Sequence, residues 1–208
     1  MLASVNSLCK YLGCHDCTVK FLRAQKNIYS SEDRELTKGE YLSLVSAAKK
    51  NERLCLIMQT ICSTGIRVSE LEYFTVEAAC RGEVTVNCKN KTRNIIVPSR
   101  LRKKLQQYIK RYGISSDVIF RTRSGRPMDR SNICSEMKKL CARVGVCAKK
   151  VFPHNLRKLF ARTFYAVEKD IAKLADILGH SSINTTRIYI MTTGVEHRRQ
   201  IESLHLLI

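Results

Sequence analysis

Apolar residues recur at helical spacing along most of this chain, broken once by a stretch of strand-like alternation. Near the N-terminus Leu2, Val5, Leu8 and Leu12 fall near one face, and Val19, Phe21 and Leu22 follow a Cys-His-Asp-Cys turn. That pattern predicts helix, turn, helix over residues 1–28. Residues 29–36 are polar and linker-like. Thr37 and Glu40 have the spacing of a capping box, so a helix is expected from there to about residue 50. A second apolar run predicts a helix over 54–64, ended by Gly65, and a short helical restart over 66–74.

The period then changes. Val84, Val86 and Cys88 alternate with polar residues, as do Ile96 and Pro98 beyond a Lys-Asn-Lys-Thr-Arg turn, which predicts a β-hairpin with a very basic tip. Ser99 reads as the cap of a helix to Tyr112, with Leu101, Leu105 and Ile109 inward and Gly113 just past its end. Residues 118–120 suggest a short strand. Asp129 or Ser131 caps a helix to about residue 144, and Pro153 starts one to about 167. Residues 170–178 and 183–190 give two shorter helices, and 195–203 a last one before the apolar tail 204–208. The fold class expected is α+β, mainly α-helical, with a small antiparallel β-sheet. Residues 1–30 are too few for a domain of their own, so the division expected is a helical appendage over 1–30 and one domain over 31–208.

Composition changes the picture through charge. The 208 residues carry 37 Lys and Arg against 18 Asp and Glu, a formal net charge of +19. Residues 84–162 hold 21 basic and 3 acidic side chains, while the flanking segments are nearly neutral. A basic surface kept only for solubility is mixed in sign and scattered. Concentration in one segment points to a polyanion, with nucleic acid ahead of an anionic membrane surface. No apolar run is long enough for a membrane span and no secretory signal is read, so a cytoplasmic, reducing setting is expected. The ten cysteines then read as thiols. Cys14 and Cys17 have a C-x2-C spacing with Cys9 nearby, but no second pair completes a zinc set, and neither metal nor cofactor is expected.

Several chemistries lack their residues. The chain has no phosphate-binding G-x-x-x-x-G-K loop, no G-x-S-x-G and no H-E-x-x-H. The basic segment has too few carboxylates to hold two metals. A phosphoryl-transfer site here must stabilise charge with cationic side chains. Candidates exist. Arg67 follows a helix-ending glycine in TGIRVSEL, and His154 and Arg157 lie three apart in the first turn of a helix, on one face. His180 follows the glycine that ends another helix, and Tyr189 comes nine residues later. Tyr165 is the rival tyrosine, in mid-helix.

These pieces, TGIRVSEL, the basic hairpin CKNKTR, HNLR, LGH and TTRIY, come in the order found in the tyrosine recombinase (phage integrase) family. The chain resembles that family's catalytic domain from about Leu36 onward. The resemblance implies a DNA breaking-rejoining fold and a site-specific recombinase or integrase acting through a 3′-phosphotyrosyl link, with neither metal nor ATP. It implies that Arg67 and Arg157 grip the scissile phosphate, that Tyr189 attacks phosphorus, that His154 assists proton transfer from the tyrosine, and that His180 hydrogen-bonds the phosphate. It also implies a hairpin lysine as acid; Lys89 is preferred and Lys91 is the alternative. The partner implied is double-stranded DNA, with four protomers on two DNA sites, weakly associating or monomeric when free, and a bacterial or phage setting near the nucleoid. Two departures stand out. Lys158 follows the H-x-x-R arginine where many members have histidine, and only the last helix or two of the family's N-terminal DNA-clamping domain fits in residues 1–30. Other readings of the same residues are a DNA-binding module without catalysis and a topoisomerase-like nicking-closing enzyme.

Overall fold

Local signals in the sequence set most of the element boundaries. The computed structural model describes residues 2–17, 34–88, 91–115, 117–122, 124–191 and 194–204. The expected helix after the Cys-His-Asp-Cys turn and the preferred hairpin lysine, Lys89, lie outside these residues, as does the tail beyond Leu204. The first helix, α1, spans Leu2–Tyr11, with Val5 and Leu8 solvent-exposed. The helix α2 (Lys38–Ala47) opens on the expected capping box: Glu40 N–H donates to Thr37 Oγ1 at 3.2 Å, and Thr37 N–H donates to the Glu40 carboxylate at 2.8 Å. Asn51 caps α3 (Glu52–Thr64) by accepting from Leu54 N–H at 3.2 Å. The helix α3 runs through the middle of the molecule and packs chiefly on α7 (Pro153–Glu168). Its buried Leu54, Ile57, Met58 and Ile61 contribute roughly 1.5–3 kcal/mol each by leaving water.

Gly65 stops α3 in the left-handed region, at φ 65°, and a Cβ there would run into the Phe160 ring and Leu178. Only glycine meets both conditions without strain. The chain then makes a 3-10 turn over Val68–Tyr73 rather than an α-helix. A short helix that the pattern does not announce, α4 (Val76–Arg81), follows, capped by Thr75 Oγ1. Six residues are too few to display a 3.6-residue period.

The hairpin forms as expected, but Lys91, Thr92 and Arg93, read as part of its turn, belong to the second strand: β1 (Glu83–Cys88) is antiparallel to β2 (Lys91–Ile96), with Val86 opposite Arg93. Val84, Val86 and Ile95 face the core, whereas Ile96 is 75% exposed. Pro98 lies beyond the ladder, at the cap position of α5 (Ser99–Arg111). Ser99 is therefore the first helical residue and makes no side-chain cap, a correction to its expected role. Residues 118–120 form no strand of a sheet. Asp117 turns the chain at φ 74°, and one bridge, Thr75 to Val118, is all that forms there. Ile119 and Phe120 nevertheless fill the core.

Asp129 caps α6 (Arg130–Val144) through Asn132 N–H at 2.7 Å. After α7 come α8 (Ile171–Leu178), α9 (Ile183–Tyr189) and α10 (Gly194–Glu202). Among the described residues the molecule is thus mainly helical with one small antiparallel sheet, the class expected. One large apolar cluster joins α2 to α7 and the hairpin. A second, small one is built on Ala161, Leu174 and Leu178, with Phe164, Tyr165 and Tyr189 against it. Ile66 and Leu156 belong to the first cluster and Tyr189 to the second, so the candidate site lies on the seam between them. Among the described residues, no helix is long and apolar enough to cross a membrane.

Candidate active site

Two helix C-termini meet at the seam, and three arginines fill the space they leave. Arg157, in the first turns of α7, is buried to 2% exposure, the largest fully buried side chain described. Its guanidinium donates to the carbonyls of Gly65 and Leu178, the latter at 2.6 Å. Those carbonyls terminate α3 and α8, where the helix dipoles concentrate negative partial charge. Burial, then the neighbouring Arg67, pushes the Arg157 pKa down to about 10, so it stays charged at neutral pH. Among the described residues its buried Nε has no hydrogen-bond partner, and the side chain borders a cavity.

Arg67 enters from the turn after Gly65. Its Nη1 donates to Glu70 Oε1 at 2.8 Å and its Nη2 to the Gly179 carbonyl at 3.1 Å. Glu70 is 3% exposed, and it also accepts the Arg67 backbone N–H at 2.8 Å and Arg93 Nη2 at 2.6 Å. Two of the three guanidiniums, Arg67 and Arg93, therefore share one carboxylate. The remaining partners are neutral carbonyls, so positive charge is left over to attract an anion.

His180 follows Gly179 and reaches back, with Nε2 3.1 Å from Arg157 Nη2 and Nδ1 2.9 Å from Thr186 Oγ1. A guanidinium can only donate, so Nε2 accepts and Nδ1 carries the proton toward Thr186. Burial, then Arg157 and Arg67, pushes the His180 pKa down to about 4, which keeps this ring neutral. His154 is lowered too, first by desolvation and then by Lys158 and Arg157. It lies edge-on to the Tyr189 ring at 5.1 Å between centroids and stacks on Phe152.

Tyr189 stands at the end of α9, edge-on to His180 at 4.8 Å and with the Arg157 guanidinium 5.9 Å from its ring centre. A cavity of about 490 Å³ is lined by Arg67, His154, Arg157, Tyr189 and Arg130. A second, of about 790 Å³, adjoins Arg67 on the hairpin side and includes Arg93, Gly179 and His180. The structure thus brings Arg67, His154, Arg157, His180 and Tyr189 together. Tyr165 packs in the second apolar cluster, with Lys169 5.8 Å from its ring. Lys89 lies outside the described residues, and Lys91 opens β2.

Four residues join the site that the sequence reading passed over. Glu70 sits three residues after Arg67, the spacing at which a carboxylate can return to the backbone at the start of a turn. Thr186 sits three before Tyr189, one helical turn away and fully buried. Arg93 alternates with the buried Ile95 and Val97, so its side chain was due on the inner face of β2. Arg130 opens α6, and only the packing of α6 brings it to the cavity. Among the described residues, no three His, Cys, Asp or Glu side chains converge as a metal set.

The fold is that of tyrosine recombinase catalytic domains. The crystal structure of XerA recombinase superimposes with a TM-score of 0.73 over 100% of this chain and 74% of that one, at 24% identity. The Tn1549 transposon integrase, in complex with a circular intermediate DNA, superimposes at 0.69 over 97% of this chain and 77% of its own, at 18% identity. The sequence profile of the phage integrase family matches residues 34–194, and the chain belongs to that family. It is 29% identical to tyrosine recombinase XerA of Pyrococcus furiosus over 182 residues, covering 84% of this chain and 63% of that protein. It is 30% identical to tyrosine recombinase XerH of Campylobacter jejuni over 147 residues, 64% of this chain and 40% of that protein. The chain therefore spans less than two thirds of the length of either relative.

Proposed function

We propose that the chain is a DNA strand transferase of the site-specific recombinase or integrase type, cleaving and rejoining duplex DNA through Tyr189. One observation carries the reading: a buried, charged Arg157 borders a cavity that also holds Arg67, His154 and Tyr189. Guanidiniums held from behind by carbonyls and one carboxylate keep N–H groups for the non-bridging oxygens of a phosphate, and the amino end of α7 adds its dipole. Preorganised donors of this kind stabilise the charge that develops on a five-coordinate phosphorus.

In this mechanism Tyr189 Oη attacks phosphorus and the bond to the 5′-oxygen breaks. His154, held neutral by its lowered pKa, receives the tyrosine proton. Lys89, with Lys91 the alternative, protonates the departing 5′-oxygen. His180 accepts from Arg157 through Nε2 and so holds that guanidinium beside the same phosphate. A phosphotyrosyl ester replaces a phosphodiester, so the reverse attack by a 5′-hydroxyl reseals the strand with no external energy source. The names of XerA and XerH as tyrosine recombinases, and the DNA complex of the Tn1549 integrase, support this reading. We place the catalytic unit at 31–208, with 1–30 belonging to a preceding helical unit. Recombination takes four protomers on two DNA sites, and the exposed Leu204 after α10 suits contact with a neighbouring protomer. A soluble setting beside the bacterial chromosome fits that role.

The test uses a nicked duplex whose short 3′ flank diffuses away after cleavage. The native chain is expected to accumulate a covalent protein–DNA adduct, and Tyr189→Phe to form none. Binding without any adduct in the native chain overturns the reading in favour of a DNA-binding module. An adduct lost in Tyr165→Phe instead moves the nucleophile.

A further inference from the structure

Arg93 has no role in the chemistry proposed above, yet its side chain is built into the centre of the site. It leaves β2 on the inner face, with its side chain only 14% exposed, and forks. One arm donates to Glu70 Oε2 at 2.6 Å, and the other donates to the Leu178 carbonyl. Both acceptors are shared. Glu70 also holds Arg67 by its backbone and its guanidinium, and Leu178 also holds Arg157. Arg93 therefore touches one anchor of each phosphate-facing arginine. It lies directly over Gly179, where an added Cβ would collide with the Arg93 guanidinium. Glycine at 179 thus makes room for this side chain as well as supplying a φ of 64°.

The electrostatic consequence follows from counting. Glu70 carries one negative charge in a site with three guanidiniums. With Arg93 in place, Glu70 is shared between two cations, and Arg67 keeps positive charge for a phosphate. Without Arg93, the buried carboxylate would turn wholly to Arg67, drawing it back and cancelling its charge. A carboxylate this buried interacts strongly with its nearest cation, because little water screens the pair.

We infer that Arg93 is a positioning residue of the phosphate site: it occupies Glu70 and the end of α8, and so keeps Arg67 and Arg157 directed and charged toward the scissile phosphate. This rests on the reading of the site as one for DNA strand transfer. A lysine cannot replace it fully, because one ammonium does not span two acceptors as a planar fork does.

The experiment compares single-turnover cleavage by the 208-residue chain and its Arg93→Met and Arg93→Lys variants, on a phosphodiester and on a matched substrate with a neutral methylphosphonate at the scissile position. On the phosphodiester, Arg93→Met is expected to slow cleavage by about 100-fold, as loss of one preorganised donor does. DNA affinity should change by less than about threefold, because most phosphate contacts lie elsewhere. Arg93→Lys should recover part of the rate. On the methylphosphonate the deficit of Arg93→Met relative to the native chain should shrink several-fold, because the charge that Arg67 answers is gone. A merely structural defect would slow both substrates alike, and that result overturns the inference, as does an Arg93→Met variant that cleaves at the native rate. If the native chain forms no Tyr189-dependent adduct, the reading of the active site fails first, an outcome distinguishable from either of these. Urea midpoints of the variants identify any loss of folded protein before rates are compared.

Discussion

At the level of single residues, the site works by leaving some groups without a full set of partners. Arg157 is held at both Nη atoms, and among the described residues its Nε has no partner. His180 is held in one tautomer by Arg157 on one side and Thr186 on the other. That tautomer has a consequence for stability. The folded pKa of His180 is about 4, against an ordinary value of 6.5. Between those values the unfolded chain binds a proton that the folded chain does not, so stability rises with pH across the window. The contribution is fully present above about pH 6.5 and is lost as pH falls toward 4. Urea midpoints taken from pH 7 down to pH 5 are expected to fall less steeply in His180→Asn than in the native chain. Equal slopes would count against a neutral, half-buried His180. Arg67, His154, Arg157, His180 and Tyr189 were legible in the sequence because their types and order are distinctive. Glu70 and Thr186 were not, because a glutamate near a turn and a threonine in a helix are common, and only burial marks these two.

At the level of elements, the boundaries that matter are helix ends. Gly65 and Gly179 end α3 and α8 in the left-handed region and aim terminal carbonyls at the arginines. Both were legible, because glycine after an apolar helical run is a strong stop signal. The start of α6 matters as much, since Arg130 is its first residue and lines the cavity. Replacing the cap by Asp129→Ala removes the acceptor for Asn132 N–H and is expected to cost about 1 kcal/mol in chemical denaturation. Cleavage should slow modestly as the first turn of α6 frays. A stability unchanged within error would mean that Ser131 or solvent takes over the cap. The elements misread were short or irregular ones. The single turn and a half of α4, the lone bridge at Val118 and the proline at the α5 cap carry too little periodicity to be distinguished from loop.

At the level of the whole molecule, the charge of +19 finds a place. Arg130, Lys138 and Lys139 line an open groove along α6, and Arg130 also borders the cavity with Tyr189. Arg130 therefore links the groove to the site. Duplex binding is expected to weaken steeply with salt, with a log–log slope of about −0.9 per phosphate neutralised. Lys138→Glu with Lys139→Glu should reduce that slope by about 2 while weakening all duplexes alike. A slope unchanged by the pair would place the DNA on another face.

Taken alone, the chain's order of residues determined the helical class, the hairpin, the helix-ending glycines and the principal candidates for phosphate chemistry. Each of these is written in local spacing, which short-range sterics and hydrogen bonding translate directly. Only the tertiary structure decided how that chemistry is held. Arg67 and Gly179 are 112 residues apart and Arg157 and Gly65 are 92 apart, yet each pair is hydrogen-bonded. Arg93 enters from a third segment to share their anchors. The burial that keeps His180 neutral and lowers the pKa of Arg157 arises where two apolar clusters close on each other. Desolvation depends on everything packed around a group, and no local stretch of sequence contains it.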